Sequence, residues 1–467
     1  MKYLIPLFTI LLVASCAQEQ VPEKESEVIL SGVIENPKED FVRINYNEKA
    51  DTAFLDSAGA FKFNLQLEEA SYASFYHGRE YTKQYLTPGD SLHLSLDTEA
   101  FDQTLIYSGD GEHVNNYLAQ QLLRQEENRI DMRQLFSLGV DEFQSQLDSI
   151  KQSKIALLEE FSSGVFSEQF LHLENARITY DWAMNKMNYP NFHKRLTQND
   201  SLDLGESYDE YLAQLDLNDS LLIGLQEFNN FLTGYITKKA SELISSDSTY
   251  TKDASGMFRA KMATVYNEFD NPKIKEDMLY TTLSIQLSFS NEGVDEQALE
   301  EFKKHCNNEE YLATIQELLD KWEALEVGNP APVFDGVDID GNRMALSDFL
   351  GTYVYVDVWA TWCGPCKYEI PFLEELHDEY KDKNITFISI SVDRDKESWE
   401  KMVTENEMKG VQLFTEDAFR STIAEEYNIR GIPRFLLIDP EGNILDANAP
   451  RPSGKIRDVF DSFEEEV

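Results

Sequence analysis

Tyr353-Val354-Tyr355-Val356-Asp357-Val358-Trp359 is a nearly unbroken run of β-branched and aromatic residues, the composition of a strand buried on both faces. It leads through Ala360-Thr361-Trp362 into Cys363-Gly364-Pro365-Cys366. A helix-competent segment, Lys367 to Tyr380, follows, with Ile370, Phe372, Leu373 and Leu376 apolar and Pro371 placed to kink its first turns. A C-x-x-C alone is a weak signal. Set between a buried strand and a helix, it constrains this part of the chain to an α/β unit with paired thiols at the strand-to-helix turn.

The chemistry follows from that placement. Cys363 precedes the helix, where unpaired N–H groups and the macrodipole favour a thiolate, so it is read as the attacking nucleophile, exposed to a partner. Cys366 lies one turn on, more shielded, and is read as the thiol that resolves a mixed disulfide. Gly364 and Pro365 set the geometry of the loop between them. Two blander readings compete. A structural zinc site needs four ligands, but the nearest additional thiol is Cys306, beside His305, and neighbouring residues on a helix diverge by about 100°. A purely structural disulfide closing so short a loop would constrain little of the unfolded chain. No metal and no cofactor is therefore expected, and Cys306 is expected to stand outside the redox cycle.

The segment from Asp357 to Cys366, with Pro371, resembles thioredoxin. So does Glu425-Glu426-Tyr427-Asn428-Ile429-Arg430-Gly431-Ile432-Pro433 leading into the strand Phe435 to Ile438. The opening Gly328-Asn329-Pro330-Ala331-Pro332-Val333-Phe334, with Leu346-Ser347-Asp348-Phe349, is similar to the membrane-tethered TlpA-like branch of periplasmic thiol–disulfide oxidoreductases. The resemblance covers residues 326–467. It implies that Pro433 is a cis-proline beside the dithiol, aligning substrate together with Ile432, Gly364 and Pro365. It implies that Trp362 is a contact surface for substrate, and that Asp357 is a buried aspartate shuttling the proton of Cys366. The position of thioredoxin's lysine partner to that aspartate matches Ser389, so the relay is expected to differ. Asp393 and Asp395 are candidates for an acidic residue near the dithiol. The peroxidase branch needs a Thr or Ser and a Pro where this chain has Ala360 and Val356, and is set aside.

The N-terminus carries one charge, Lys2, and an apolar run from Tyr3 to Val13, too short to span a bilayer. Val13-Ala14-Ser15-Cys16 resembles a bacterial lipobox, implying cleavage before Cys16 and lipid attachment to it. A hydrophilic tether, 16–27, follows. From 28 to 108 short alternating stretches, such as Phe41–Tyr46, Phe61–Leu65 and Leu92–Leu96, predict an antiparallel β-sandwich. Tyr85 to Leu92 and Ser108-Gly109-Asp110 resemble an uncharacterised β-module found ahead of thioredoxin-like domains in lipoproteins. From 109 to 325 the periodicity is helical, with Pro190 and Pro272 expected in loops. Asp338-Ile339-Asp340-Gly341-Asn342 reads as a hairpin turn, since Arg343 and Phe349 stand where a calcium loop needs Gly and Glu.

Lys plus Arg number 41 and Asp plus Glu 85, a formal charge of −44, which argues against nucleic-acid partners and against charge-driven binding to anionic lipid. The expected protein is multidomain: β-sandwich, all-α region, then an α/β thioredoxin-like domain. It is expected to be an enzyme reducing disulfide-bearing proteins, lipid-anchored in the cell envelope and facing the periplasm, at the outer membrane by the sorting rule for Ala17. Its reducing equivalents are expected from an inner-membrane thiol donor. Disulfide isomerase or oxidase activity, or a binding lipoprotein whose N-terminal domains do the work, are the alternatives.

Overall fold

The computed structural model describes residues 26–463, apart from 48, 200, 251–253 and 290–295. The signal sequence, Cys16 and most of the tether lie outside the described residues. Those described group into two compact units, divided between Ala213 and Gln214.

In the first unit the strands are β1 (Glu27–Glu35), β2 (Phe41–Tyr46), β3 (Lys49–Phe54), β4 (Ala60–Gln66), β5 (Ser71–His77), β6 (Glu80–Leu86), β7 (Ser91–Asp97) and β8 (Ile106–Gly109). They form two four-stranded sheets, ordered β4-β1-β7-β8 and β3-β2-β5-β6. Alternation does what it predicts: Val28, Leu30 and Ile34 of β1, Val42 and Ile44 of β2, Phe61, Phe63 and Leu65 of β4 and Leu92, Leu94 and Leu96 of β7 meet in one core. The sandwich is not purely antiparallel, however. β1 runs parallel to β7, with Ile29 opposite Ser91 and Glu35 opposite Asp97. Five strands intervene between them, a connection long enough for the crossover that parallel pairing needs.

Helices α1 (Phe101–Thr104), α2 (Glu112–Glu127), α3 (Met132–Ser137), α4 (Val140–Ser162) and α5 (Glu168–Thr197) complete this unit. Asn115 clamps α2 to β6, accepting from the Tyr85 N–H and donating to the Tyr85 carbonyl, both at 2.9 Å. Pro190 does not lie in a loop; it sits inside α5. The carbonyl that loses its helical partner there, that of Lys186, accepts from the Tyr208 hydroxyl at 2.7 Å, which removes the main penalty for an interior proline.

The second unit begins with α6 (Gln226–Ser246), α7 (Ala254–Glu268), α8 (Pro272–Phe289), α9 (Glu296–His305) and α10 (Glu309–Ala324). Pro272 opens α8, where its missing N–H costs nothing. The C-terminal part contains β9 (Asp335–Val337), β10 (Arg343–Ala345), β11 (Tyr353–Trp359), α11 (Gly364–Glu379), β12 (Ile385–Ser391), α12 (Lys396–Glu405), β13 (Val411–Phe414), α13 (Thr422–Glu426), β14 (Arg434–Ile438), β15 (Ile444–Asp446) and α14 (Ile456–Ser462). Their sheet is ordered β10-β9-β13-β12-β11-β14-β15. The hydrophobic run of β11 is its central strand, parallel to β12 and antiparallel to β14. On one face Val354, Val356, Val358, Leu436 and Ile438 pack with Trp399 and Ile423. On the other, Tyr355, Phe387, Phe435 and Leu437 pack with Leu373 and Leu376 of α11 and Ile456 and Phe460 of α14. The Asp338 turn joins β9 to β10; its carboxylate accepts from the N–H groups of Asp340 (2.9 Å) and Asn342 (2.7 Å). None of the described helices is long and apolar enough to cross a membrane.

Candidate active site

The chain leaves the buried end of β11 and turns into α11 within a few residues. The Cys363 N–H donates to the Ala360 carbonyl at 3.0 Å. Asp393, buried beyond the end of β12, fixes this turn: it accepts from the Thr361 N–H at 2.9 Å, the Thr361 hydroxyl at 2.8 Å and the Ser391 hydroxyl at 2.7 Å. Asp395 instead caps α12, accepting from the Glu397 N–H. Of the two aspartates singled out, Asp393 is thus the one that shapes the dithiol turn.

Cys363 is the N-cap of α11, with Gly364 and Pro365 opening the helix, and it is joined to Cys366 as a disulfide with Cα atoms 5.3 Å apart. The Cys366 N–H points at Cys363 Sγ, 3.1 Å away. One expectation fails here. In this disulfide form Cys363 is 4% exposed and Cys366 2%, so exposure does not separate them. Both pack into the core that holds Trp359 and Ala360. The asymmetry is electrostatic: the helix N-terminus directs a donor, the Cys366 N–H, at Cys363 Sγ. Trp362 is 61% exposed, its ring 6.3 Å from that of Phe419.

The Ile432–Pro433 peptide is cis. Register places it: Asp357 pairs with Phe435 and Val358 with Arg434, so Pro433 adjoins the end of β11 from which the chain enters the C-x-x-C turn. Ile432 packs against the apolar cluster containing both cysteines. Gly431 to Phe435 and Asn448 to Arg451 line a cavity of about 440 Å³.

Asp357 lies on the α11 face of β11 and is buried. Burial, reinforced by the Glu369 carboxylate, pushes its carboxyl up to about 8, while the Ser389 hydroxyl opposes the rise. Ser389 is directly across from Asp357 in the β11–β12 pairing. A hydroxyl thus stands where a cationic partner would have held the carboxyl ionised. Glu369 was not foreseen as a site residue. It is buried on α11, accepts from the Ser453 N–H and hydroxyl at 3.0 Å each, and has Arg451 3.8 Å away. The signal was in the spacing: Cys366, Glu369, Leu373 and Leu376 form the buried face of the helix, and one of the four is an acid. Cys306 follows α9, buried and free, with its thiol directed at the Asn308 carbonyl 3.6 Å away and its ionisation suppressed by burial.

Comparison with known proteins bears on this site. The family model described as Thioredoxin-like matches residues 351–444. The thiol-disulfide oxidoreductase ResA of Bacillus thuringiensis subsp. konkukian is 30% identical over 125 residues, 27% of this chain and 70% of that protein. The ResA of Bacillus subtilis is 30% identical over 125 residues, 26% of this chain and 67% of that one. Among solved structures, the thioredoxin domain of a thiol-disulfide oxidoreductase from Bacteroides vulgatus is 35% identical, covering 31% of this chain and 99% of that one, with a TM-score of 0.28.

Proposed function

Since the chain belongs, through its C-terminal third, to the thioredoxin-like thiol–disulfide oxidoreductases, we propose that it is a protein-disulfide reductase with Cys363 as nucleophile and Cys366 as resolving thiol. The observation that carries the assignment of roles is the Cys366 N–H aimed at Cys363 Sγ from the first turn of α11. In the reduced enzyme the Cys363 thiolate attacks one sulfur of a substrate disulfide, forming a mixed disulfide and expelling the other sulfur as a thiolate. Cys366 then loses its proton and attacks Cys363 Sγ. This breaks the mixed disulfide, releases the second substrate thiol and leaves the Cys363–Cys366 disulfide. Asp357, whose carboxyl is pushed up to about 8, would take that proton in its ionised form, which gains population as pH rises towards 8. A thiol donor must supply two electrons to reset the pair.

The Cys-Gly-Pro-Cys loop supports the reductase direction. Thioredoxin, with about −270 mV, and DsbA, with about −120 mV, bracket the range, and the gap corresponds to roughly 7 kcal/mol. The full chain, equilibrated against glutathione or dithiothreitol, is expected to titrate near the thioredoxin end and to reduce insulin disulfides. A potential near −120 mV, or rearrangement of a scrambled protein without net reduction, would replace reductase by oxidase or isomerase.

The proposed setting is the cell envelope. Lipid on Cys16 would hold the domains proposed from the sequence pattern (28–108, 109–325 and 326–467) on the periplasmic side, with a membrane thiol carrier as donor. Mass spectrometry of the mature N-terminus is expected to show a lipidated Cys16; an unmodified Cys16 there would remove the anchor.

A further inference from the structure

Within the second unit, the helices that precede the α/β domain reach the segment bearing the cis-proline. The Leu287 carbonyl lies in the last turn of α8, one of the four that have no partner inside the helix. Two side chains satisfy it: the indole N–H of Trp322 on α10, and the Asn428 amide, 3.2 Å away. Asn428 is buried, in the left-handed backbone region at φ 48°, five residues before Pro433. Immediately after Pro433, the Arg434 guanidinium lies over the Trp322 ring, 5.4 Å from its centroid, while its Nε donates to the Ala447 carbonyl at 2.9 Å. Both ends of the Asn428–Arg434 segment are therefore tied to one point on the helices, and the stretch between them carries the cis peptide and lines the cavity beside it.

We propose that Trp322 and the C-terminal carbonyl of α8 are positioning elements of the active site: they hold Asn428–Arg434 in the conformation that receives the substrate chain. The inference rests on the reductase reading above and extends it, because it makes the helices part of the enzyme rather than a separate cargo. Trp322 suits the task by joining both ends of the segment, donating to the carbonyl that Asn428 shares and offering a ring face to Arg434. Phenylalanine keeps the ring face and loses the N–H; alanine loses both.

The test uses the full chain and two disulfides. Insulin must lay its backbone against the cis-proline segment; a small aromatic disulfide such as dithiobis(nitrobenzoate) need not. Trp322→Ala is expected to raise KM for insulin about five- to tenfold, to change turnover of the small disulfide less than twofold, and to leave the reduction potential unchanged. Trp322→Phe should fall between alanine and the parent. Asn428→Asp keeps size and backbone conformation but sets a carboxylate against the Leu287 carbonyl, and should reproduce the KM effect should the alanine variant fail to fold. Amide exchange across 428–434 is expected to speed up at least tenfold in either variant. Unchanged exchange there, or insulin KM within twofold of the parent, overturns the positioning role. A parent chain inert to both disulfides, with exchange nonetheless accelerated in the variants, overturns the reductase reading and leaves the clamp standing.

Discussion

In the proposed cycle a thiolate attacks and a thiol resolves, and at the scale of single residues the helix terminus is what would assign the two roles. Cys363 caps α11 and receives an N–H; Cys366 sits within the first turn, on the face shared with Glu369. Cys366→Ser is accordingly expected to accumulate a mixed disulfide between Cys363 and substrate, recoverable on a non-reducing gel, and Cys363→Ser to trap almost none. Trapping through Cys366 would reverse the roles. Asp357 gives a second expectation, through linkage. Its folded value, about 8, is above the ordinary 3.8, so the folded chain retains a proton that the unfolded chain releases. The stability this confers is complete below about pH 4, declines as pH rises towards 8 and is level beyond. Asp357→Asn, neutral throughout, should gain on the parent by a few kcal/mol between pH 4 and 8 in denaturant titrations of matched redox state. The same variant should flatten the limb of the reductase pH profile near 8. A stability difference that does not change with pH would remove Asp357 as a buried proton carrier. The pair of cysteines and Asp357 were legible because their types are rare at such positions. Glu369 was not, because surface helices are full of glutamates and only its place on the apolar face distinguishes it.

At the scale of elements, what was legible was what depends on local period. Phe41–Tyr46 is a strand with the limits its alternation implies, and β11 is the buried central strand that its composition requires. What depends on long-range choice was not legible: the parallel pairing of β1 with β7, and the survival of α5 across Pro190, which needs a hydroxyl 18 residues away in sequence. The join between sheet and helices in the first unit is of the same kind. Glu174 of α5 is fully buried; it accepts from Tyr72 of β5 and Tyr117 of α2 at 2.7 Å each, and Arg177 binds both of its oxygens. These bonds hold the carboxylate ionised against its burial. Glu174→Gln discards the charge and leaves Arg177 and two tyrosines imperfectly matched. It should cost about 3 kcal/mol, in the range for breaking a buried pair, as measured by denaturation. A loss below about 1 kcal/mol would mean that apolar packing, with Phe170 and Phe166 nearby, carries this junction alone.

For the molecule as a whole the governing quantity is its charge of −44, which acts before any contact is made. A disulfide-bearing protein approaching the dithiol first meets this field, whose reach is about 10 Å at 0.1 M salt and about 3 Å at 1 M. Steering alters the rate of encounter, so it acts on kcat/KM and not on the saturated rate. A basic protein disulfide should therefore be reduced with a kcat/KM that falls as salt rises from 0.05 to 1 M. An acidic one should show the opposite slope, the two converging at high salt, and a neutral small disulfide should show little change. The sign of each slope follows from charge alone, whereas its size depends on how much of the charge lies near the dithiol, where Arg434 and Arg451, which line the cavity beside the cis-proline, locally oppose it. If the acidic substrate were instead the faster at low salt, those two arginines would outweigh the rest of the surface, and Arg451→Gln should then invert the slope.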